Sequence, residues 1–219
     1  RRRLERLCAR FPEEAETLVC SADVSSAYDL VEARDKVLEE LGAPDLVITA
    51  AGVRRAANFD EAIPADWRRM LATNLRGTLQ TVQTFSPDVL AAGERGDRAD
   101  IVMLSSAPAR ERQHAYSVFS SLGASLGQFS KHLRAEYGLR GVRVHYFDSI
   151  YTGGSFFTQC NLGSNRATSD HHDVIQGPLP ELESIAIDTA HVAEEVCFAA
   201  SLPAHVNMAS ATILPLEGN

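Results

Sequence analysis

The sequence predicts an α/β protein: a doubly wound parallel sheet with helices on both faces, in three layers. Short apolar runs alternate with longer stretches whose apolar residues recur at helical spacing, and each parallel crossover needs such a helix. Several of the apolar runs end in small or polar residues, as strands do at the carboxyl edge of an open sheet, where ligands gather. The chain has 219 residues, 45% of them hydrophobic and 23% charged, ordinary values for one globular domain. Residues 1–219 therefore read as a single domain.

Leu4 to Phe11 predicts a short helix with Leu4, Leu7 and Cys8 on one side. Thr17 to Cys20 predicts a short strand leading into Ser21-Ala22-Asp23-Val24. Ser25 or Ser26 can cap the next helix, which carries Leu30, Val31, Val37, Leu38 and Leu41 in helical rhythm before Gly42 and Pro44 end it. Leu46-Val47-Ile48 is a buried strand emptying into Thr49-Ala50-Ala51-Gly52. A helix from about Pro64 to Ala92 is interrupted near Asn74 and Gly77, and Asp100 to Leu104 is the next strand. A helix around Phe119 to Tyr137 precedes the strand Val142 to Phe147, which ends at Asp148. The polar stretch from Gly153 to about Glu183 is long enough to be a substrate lid, or else a disordered insertion. A helix near Ala190 to Ala200 and a strand from Ala211 to Leu214 complete the pattern.

Charge and composition exclude several classes. A net charge of −8 argues against a nucleic-acid or anionic-membrane surface, and Arg1, Arg2 and Arg3 read as a solvated end. Cys8, Cys20, Cys160 and Cys197 are scattered without metal spacing and read as reduced thiols, mostly packing residues. No apolar run reaches the roughly 20 residues of a membrane span and no signal peptide is visible, so a soluble cytoplasmic protein is expected. His171-His172 beside Asp170 and Asp173 read as solvated loop residues, so no metal is expected. Ser106 has no evident base, which leaves a hydrolase little support, and His205 reads as structural.

Several segments carry a family resemblance. Asp23-Val24, the run Asp45 to Gly52, Asp66-Trp67, Thr73-Asn74-Leu75-Arg76-Gly77, Ile101 to Ser106 and Leu202-Pro203-Ala204-His205-Val206-Asn207 fall in order at matching spacings. Over essentially its whole length the chain resembles the short-chain dehydrogenase/reductase family, nearest to NADP-dependent 3-hydroxy acid dehydrogenases acting on serine and allo-threonine. The resemblance implies a Rossmann-type domain that handles a small-molecule substrate with NADP. It implies Ser106 and Asn74 as active-site residues, and Asp23 and Val24 at the adenine. It also implies Ala50, Ala51 and Gly52 where the family reads Asn-Ala-Gly, and Arg2 among the arginines that pair with the 2′-phosphate.

The departures are as informative. In the resembled branch a catalytic Tyr lies 13 residues after the Ser and a Lys four later; counting from Ser106 gives Phe119 and Gly123, a register that Gln128-Phe129-Ser130 supports. Phe has no hydroxyl to shuttle a proton and Gly no side chain to hold a ribose. Ser149-Ile150 stands where the family has Pro-Gly against the nicotinamide, and Thr49 and Ala50 replace two asparagines. Tyr116, three residues before Phe119, could lean over the same helical face, but it reads more readily as a loop residue packed on the domain; Lys131 reads as surface. The family's first strand and its glycine-rich turn have no counterpart ahead of Arg1, so the domain is expected to be N-terminally incomplete, lacking its βαβ start.

Three functions follow. The first is a degenerate family member with non-standard or cofactor-independent chemistry on a small carbonyl or hydroxyl substrate in a biosynthetic pathway, using Ser106, Asn74 and Tyr116. The second is a catalytically silent subunit partnering an active homologue, and the third an ordinary NADP-dependent oxidoreductase of hydroxy acids. A homo- or hetero-oligomer is expected in each case. The apolar face Leu122, Leu126, Phe129 and Leu133 suits either a dimer contact or core burial.

Overall fold

The apolar runs assemble into one parallel sheet in a computed structural model that describes residues 2–12, 14–105, 115–149 and 187–214. Its strands are β1 (Leu46–Thr49), β2 (Asp100–Ser105), β3 (Arg143–Ser149) and β4 (Ser210–Ile213), in the order β1-β2-β3-β4. Val47 pairs with Ile101, Ile101 with Val144, and Phe147 with Ala211. Alternation along each strand divides the side chains between two faces. Val47, Ile101, Met103, Val144 and Tyr146 enter one core with residues of α4 (Thr78–Glu94) and α5 (Ser117–Gly138). Val102 and Phe147 enter another with Val196 and Ala199 of α6 (Thr189–Ser201). The three expected layers are present.

Local chemistry sets the helix ends. In α2 (Ala27–Glu40) the cap is Ser26, whose Oγ accepts from the Asp29 amide and donates back to Asp29 Oδ1 at 2.7 Å. Gly42, at φ 84°, then reverses the chain in the left-handed region. Pro64 starts α3 (Pro64–Met70), where its missing N–H costs nothing. Across the far end of α4, Gly93 and Gly141 stack so closely that a Cβ on Gly93 would lie 2.5 Å from the Arg140 carbonyl oxygen.

Two sequence expectations fail: a strand at Thr17 to Cys20, and full burial of the strand Leu46-Val47-Ile48. Thr17 to Cys20 forms no strand, because a strand needs a neighbour to complete its backbone hydrogen bonds. Among the described residues nothing pairs with the outer edge of β1, where Ile48 is 45% exposed. The apolar side of α1 (Arg2–Cys8) is uncovered as well, with Leu4 and Leu7 exposed. The α5 face, by contrast, is plain core: Leu122, Leu126 and Leu133 are buried, and Phe129 packs on the cluster that holds Leu126 and Leu133. Among the free thiols, Cys197 is exposed.

A buried ionic network closes the amino-terminal edge of the sheet. Arg143 donates to both oxygens of Asp100, each at 2.7 Å, and His145 Nε2 lies 3.0 Å from Asp100 Oδ1. Burial pushes the Asp100 carboxyl up, but the hydrogen bonds from His145 and Arg143 outweigh it and hold the group below its ordinary value. The same guanidinium donates to the carbonyls of Ala200, Leu202, Pro203 and Val206. Asn207 pairs with both backbone groups of Val144 at 3.0 and 3.1 Å. The Leu202–Asn207 signature is thus a clamp that seats β4, and His205 within it is exposed.

Candidate active site

At the opposite, carboxyl-terminal edge, three features converge: the loop after β1, the start of α5, and a π-helical turn (Leu71–Gly77) between α3 and α4. A π turn inserts one residue into a helix and redirects a side chain, a device common at functional sites. Here the redirected residue is Asn74, which is buried. Its Oδ1 accepts from the Val53 amide and its Nδ2 donates to the Val53 carbonyl, both at 2.8 Å. The Thr78 hydroxyl donates to the Asn74 carbonyl at 2.8 Å. Gly77 is required by packing, since a Cβ there would come 2.6 Å from Val24 Cγ2.

Pinned by Asn74, the loop lies against the start of α5. The Ala57 amide donates to the Ala115 carbonyl at 2.9 Å, and Ala115 itself sits at φ 67°, a conformation rarely held by a residue with a Cβ. Met70, Phe119 and Leu122 form a small buried cluster, with Val53, Trp67 and Tyr116 packed on it. The Tyr116 and Phe119 rings meet edge to face at 6.4 Å. The Arg54 guanidinium lies 4.0 Å above the Tyr116 ring centroid and 5.6 Å from that of Phe119. Arg54 Nε is buried without a hydrogen-bond partner.

Beneath this shelf, Gly123 is buried and its carbonyl accepts from the Tyr146 hydroxyl at 3.0 Å. Tyr146 Oη also lies 3.2 Å from Asp148 Oδ1 and hydrogen-bonds Ser105. Burial, reinforced by the Asp148 charge, raises the Tyr146 phenol far above its ordinary value. Ser105 and Asp148 are register partners on β2 and β3, so the group is built by the sheet itself.

The structure brings some of the sequence candidates together and leaves others apart. Asn74 and Tyr116 flank one loop, while Ser106 lies outside the described residues, as do Ile150, the 153–183 stretch and His171-His172. Ala50 and Ala51 are exposed and Gly52 is half-buried at the end of β1. Asp23 is exposed beside Val24; the Ser25 hydroxyl at 2.7 Å and amide at 2.8 Å hold its carboxyl below the ordinary value. Arg2 opens α1 and is exposed, and Lys131 is exposed on α5. Among the described residues no group of three or more His, Cys, Asp or Glu side chains gathers to hold a metal. None of their helices is long and apolar enough to cross a membrane.

Arg54 and Tyr146 were not singled out from the sequence, and Ser105 and Asp148, placed at strand ends, were given no partner. Strand alternation could have placed Tyr146 and Asp148 on one face. Arg54, two residues past Gly52, gave no periodic signal.

Comparison with known proteins fits this geometry. The family model for short chain dehydrogenases matches residues 1–161. D-threitol dehydrogenase of Mycolicibacterium smegmatis is 35% identical over 127 residues, 57% of this chain, and the match spans 46% of that protein's length. An alcohol dehydrogenase from the archaeon Thermococcus sibiricus, complexed with 5-hydroxy-NADP, superposes with a TM-score of 0.81 at 20% identity, covering 100% of this chain and 83% of that one. Serine dehydrogenase from Escherichia coli superposes with a TM-score of 0.75 at 20% identity, over 98% and 82% of the two chains. At these identities the two solved structures establish the fold.

Proposed function

The chain belongs to the short chain dehydrogenase family, and from that membership we propose that it is a degenerate member acting on a small carbonyl or hydroxyl compound without the family's Tyr–Lys chemistry. One observation carries this reading. Phe119, at the Tyr position, is 4% exposed in an apolar cluster, and Gly123, at the Lys position, meets Tyr146 through its carbonyl. Neither position offers a proton-transfer group or an ammonium.

A nicotinamide nucleotide fits this chain at one end only. Asp23 presents an exposed carboxylate beside Val24, chemistry suited to an adenine amino group. At the other end Gly123 has no side chain to hold the nicotinamide ribose, and Ser149 replaces a family proline. Asn74 acts here as a positioning residue, since both ends of its amide engage Val53. Tyr116 keeps its ring under Arg54 and makes the aromatic wall of the site.

The enclosure of Phe119 also favours a second reading, a silent subunit paired with an active homologue. The apolar face of α5 lies in this chain's own core, so such a pairing would use another surface.

Titration with NADPH, with and without a panel of small aldehydes, ketones and hydroxy acids, separates the readings. Substrate-dependent NADPH oxidation overturns both and restores an ordinary oxidoreductase. Turnover of a panel member without nicotinamide supports the first. Its absence, with copurification of a family homologue, supports the second. Phe119→Tyr combined with Gly123→Lys should introduce measurable NADPH oxidation if these are the Tyr and Lys positions. A double variant that binds NADPH and stays inert counts against the register.

A further inference from the structure

We propose that Arg54 is the anchor of an oxyanion-binding subsite, so that the ligand of this site carries a carboxylate or phosphate group. The inference deepens the reading of this edge as a substrate site and rests on it. Its physical basis is the unusual state of the guanidinium. Arg54 is half-buried, its Nε is buried, and among the described residues its guanidinium forms neither a hydrogen bond nor an ion pair. Buried polar groups in proteins are nearly always satisfied, and an exception points to a missing water, ion or ligand.

The neighbours explain both why the cation stays and what it awaits. Tyr116, at 4.0 Å, and Phe119, at 5.6 Å, present aromatic rings to the guanidinium. Such stacking stabilises a cation through its flat face and takes up none of its in-plane N–H groups. Those groups form the fork that pairs with the two oxygens of a carboxylate or phosphate. The backbone is held in place, because Asn74 grips Val53 by two hydrogen bonds immediately before Arg54. The adjacent Arg55 behaves differently: its Nη1 donates to the Arg54 carbonyl and its Nε lies 3.8 Å from Asp66. Of the two neighbouring cations, Arg54 is the one left open.

Phe119 acquires a purpose in this arrangement. At a position where the family keeps a hydroxyl for proton transfer, a phenyl ring completes an aromatic shelf under a cation.

The test follows the Arg54 Nε–H resonance of the full chain by nuclear magnetic resonance, titrating acetate, lactate and inorganic phosphate at constant ionic strength with chloride as the control. A saturable shift with at least one oxyanion, absent with chloride, is expected. Saturation by carboxylates alone identifies an organic acid, and by phosphate alone a phosphate ester. Binding should weaken at least tenfold in Arg54→Gln and severalfold in Arg54→Lys, which keeps the charge but loses the fork. Arg55→Gln should bind as the native chain does. No saturation by any of the oxyanions, or equal affinity in Arg54→Lys, overturns the proposal, and the lysine variant keeps the test valid should the glutamine variant fold poorly. Oxyanion binding without any turnover leaves this subsite standing and defeats the chemistry proposed above. Turnover of a neutral carbonyl substrate that is indifferent to Arg54→Gln defeats the subsite alone.

Discussion

Arg143 and Arg54 stand at opposite edges of the same sheet and are treated in opposite ways. Arg143 is 4% exposed, shares a carboxylate with His145 and donates to four backbone carbonyls. Arg54 is half-buried against two aromatic rings with no polar partner among the described residues. A buried charge is tolerated when its hydrogen-bonding capacity is filled. At the amino-terminal edge the chain fills it from within and the result is structure. At the carboxyl-terminal edge it leaves capacity open, which is the condition for binding something else.

The contrast predicts a graded set of responses. Asp100→Ala should be the most damaging change, removing about 3–5 kcal/mol because it strands a buried guanidinium; urea unfolding at neutral pH measures it. Because the Asp100 carboxyl is held below its ordinary value of 3.8 when folded, its contribution is present above that pH and lost as pH falls through the folded value. The stability gap between native and Asp100→Ala proteins should therefore shrink in strong acid, and a gap independent of pH would break the account.

Asn74→Ala should cost about 1–3 kcal/mol, since it leaves the Val53 backbone groups without their partners. Hydrogen exchange should quicken locally at the Val53 amide, and unchanged protection there would contradict the clamp. Gly77→Ala should cost about 1–3 kcal/mol by overpacking against Val24, read as a lowered thermal midpoint. Arg54→Gln should change stability least, by under about 0.5 kcal/mol, despite removing a charge at a half-buried position. A loss like that of Asp100→Ala would mean that Arg54 is a structural residue like Arg143, and the comparison would collapse.

Much of the fold was legible in the residue pattern. Leu46-Val47-Ile48, Ile101 to Leu104 and Val144 to Phe147 are apolar enough to be strands, and they are; the central two are buried on both faces or nearly so, while β1, at the edge, leaves Ile48 exposed. The break foreseen near Asn74 and Gly77 is the π turn. Thr17 to Cys20 misled because β propensity is local while a strand's hydrogen bonds are not. The candidate site was half legible. The spacing from Ser106 singled out Phe119 and Gly123, but what each of them meets was not written at those positions. The Tyr146 hydroxyl reaches the Gly123 carbonyl from a strand that begins twenty residues further along the chain.

By itself, the sequence determined the alternation of strand and helix, the caps and breaks that bound each element, and the absence of a phenol and an ammonium at Phe119 and Gly123. These depend on side-chain type and on periods of two and 3.6 residues, both readable along the chain. Only the tertiary structure decided which arginine is paired and which is open, that Asn74 grips Val53, and that Arg143 seats the last strand. Those outcomes join groups 21 to 63 residues apart. Hydrogen bonds and aromatic stacking at such separations form only once packing has fixed where the side chains meet.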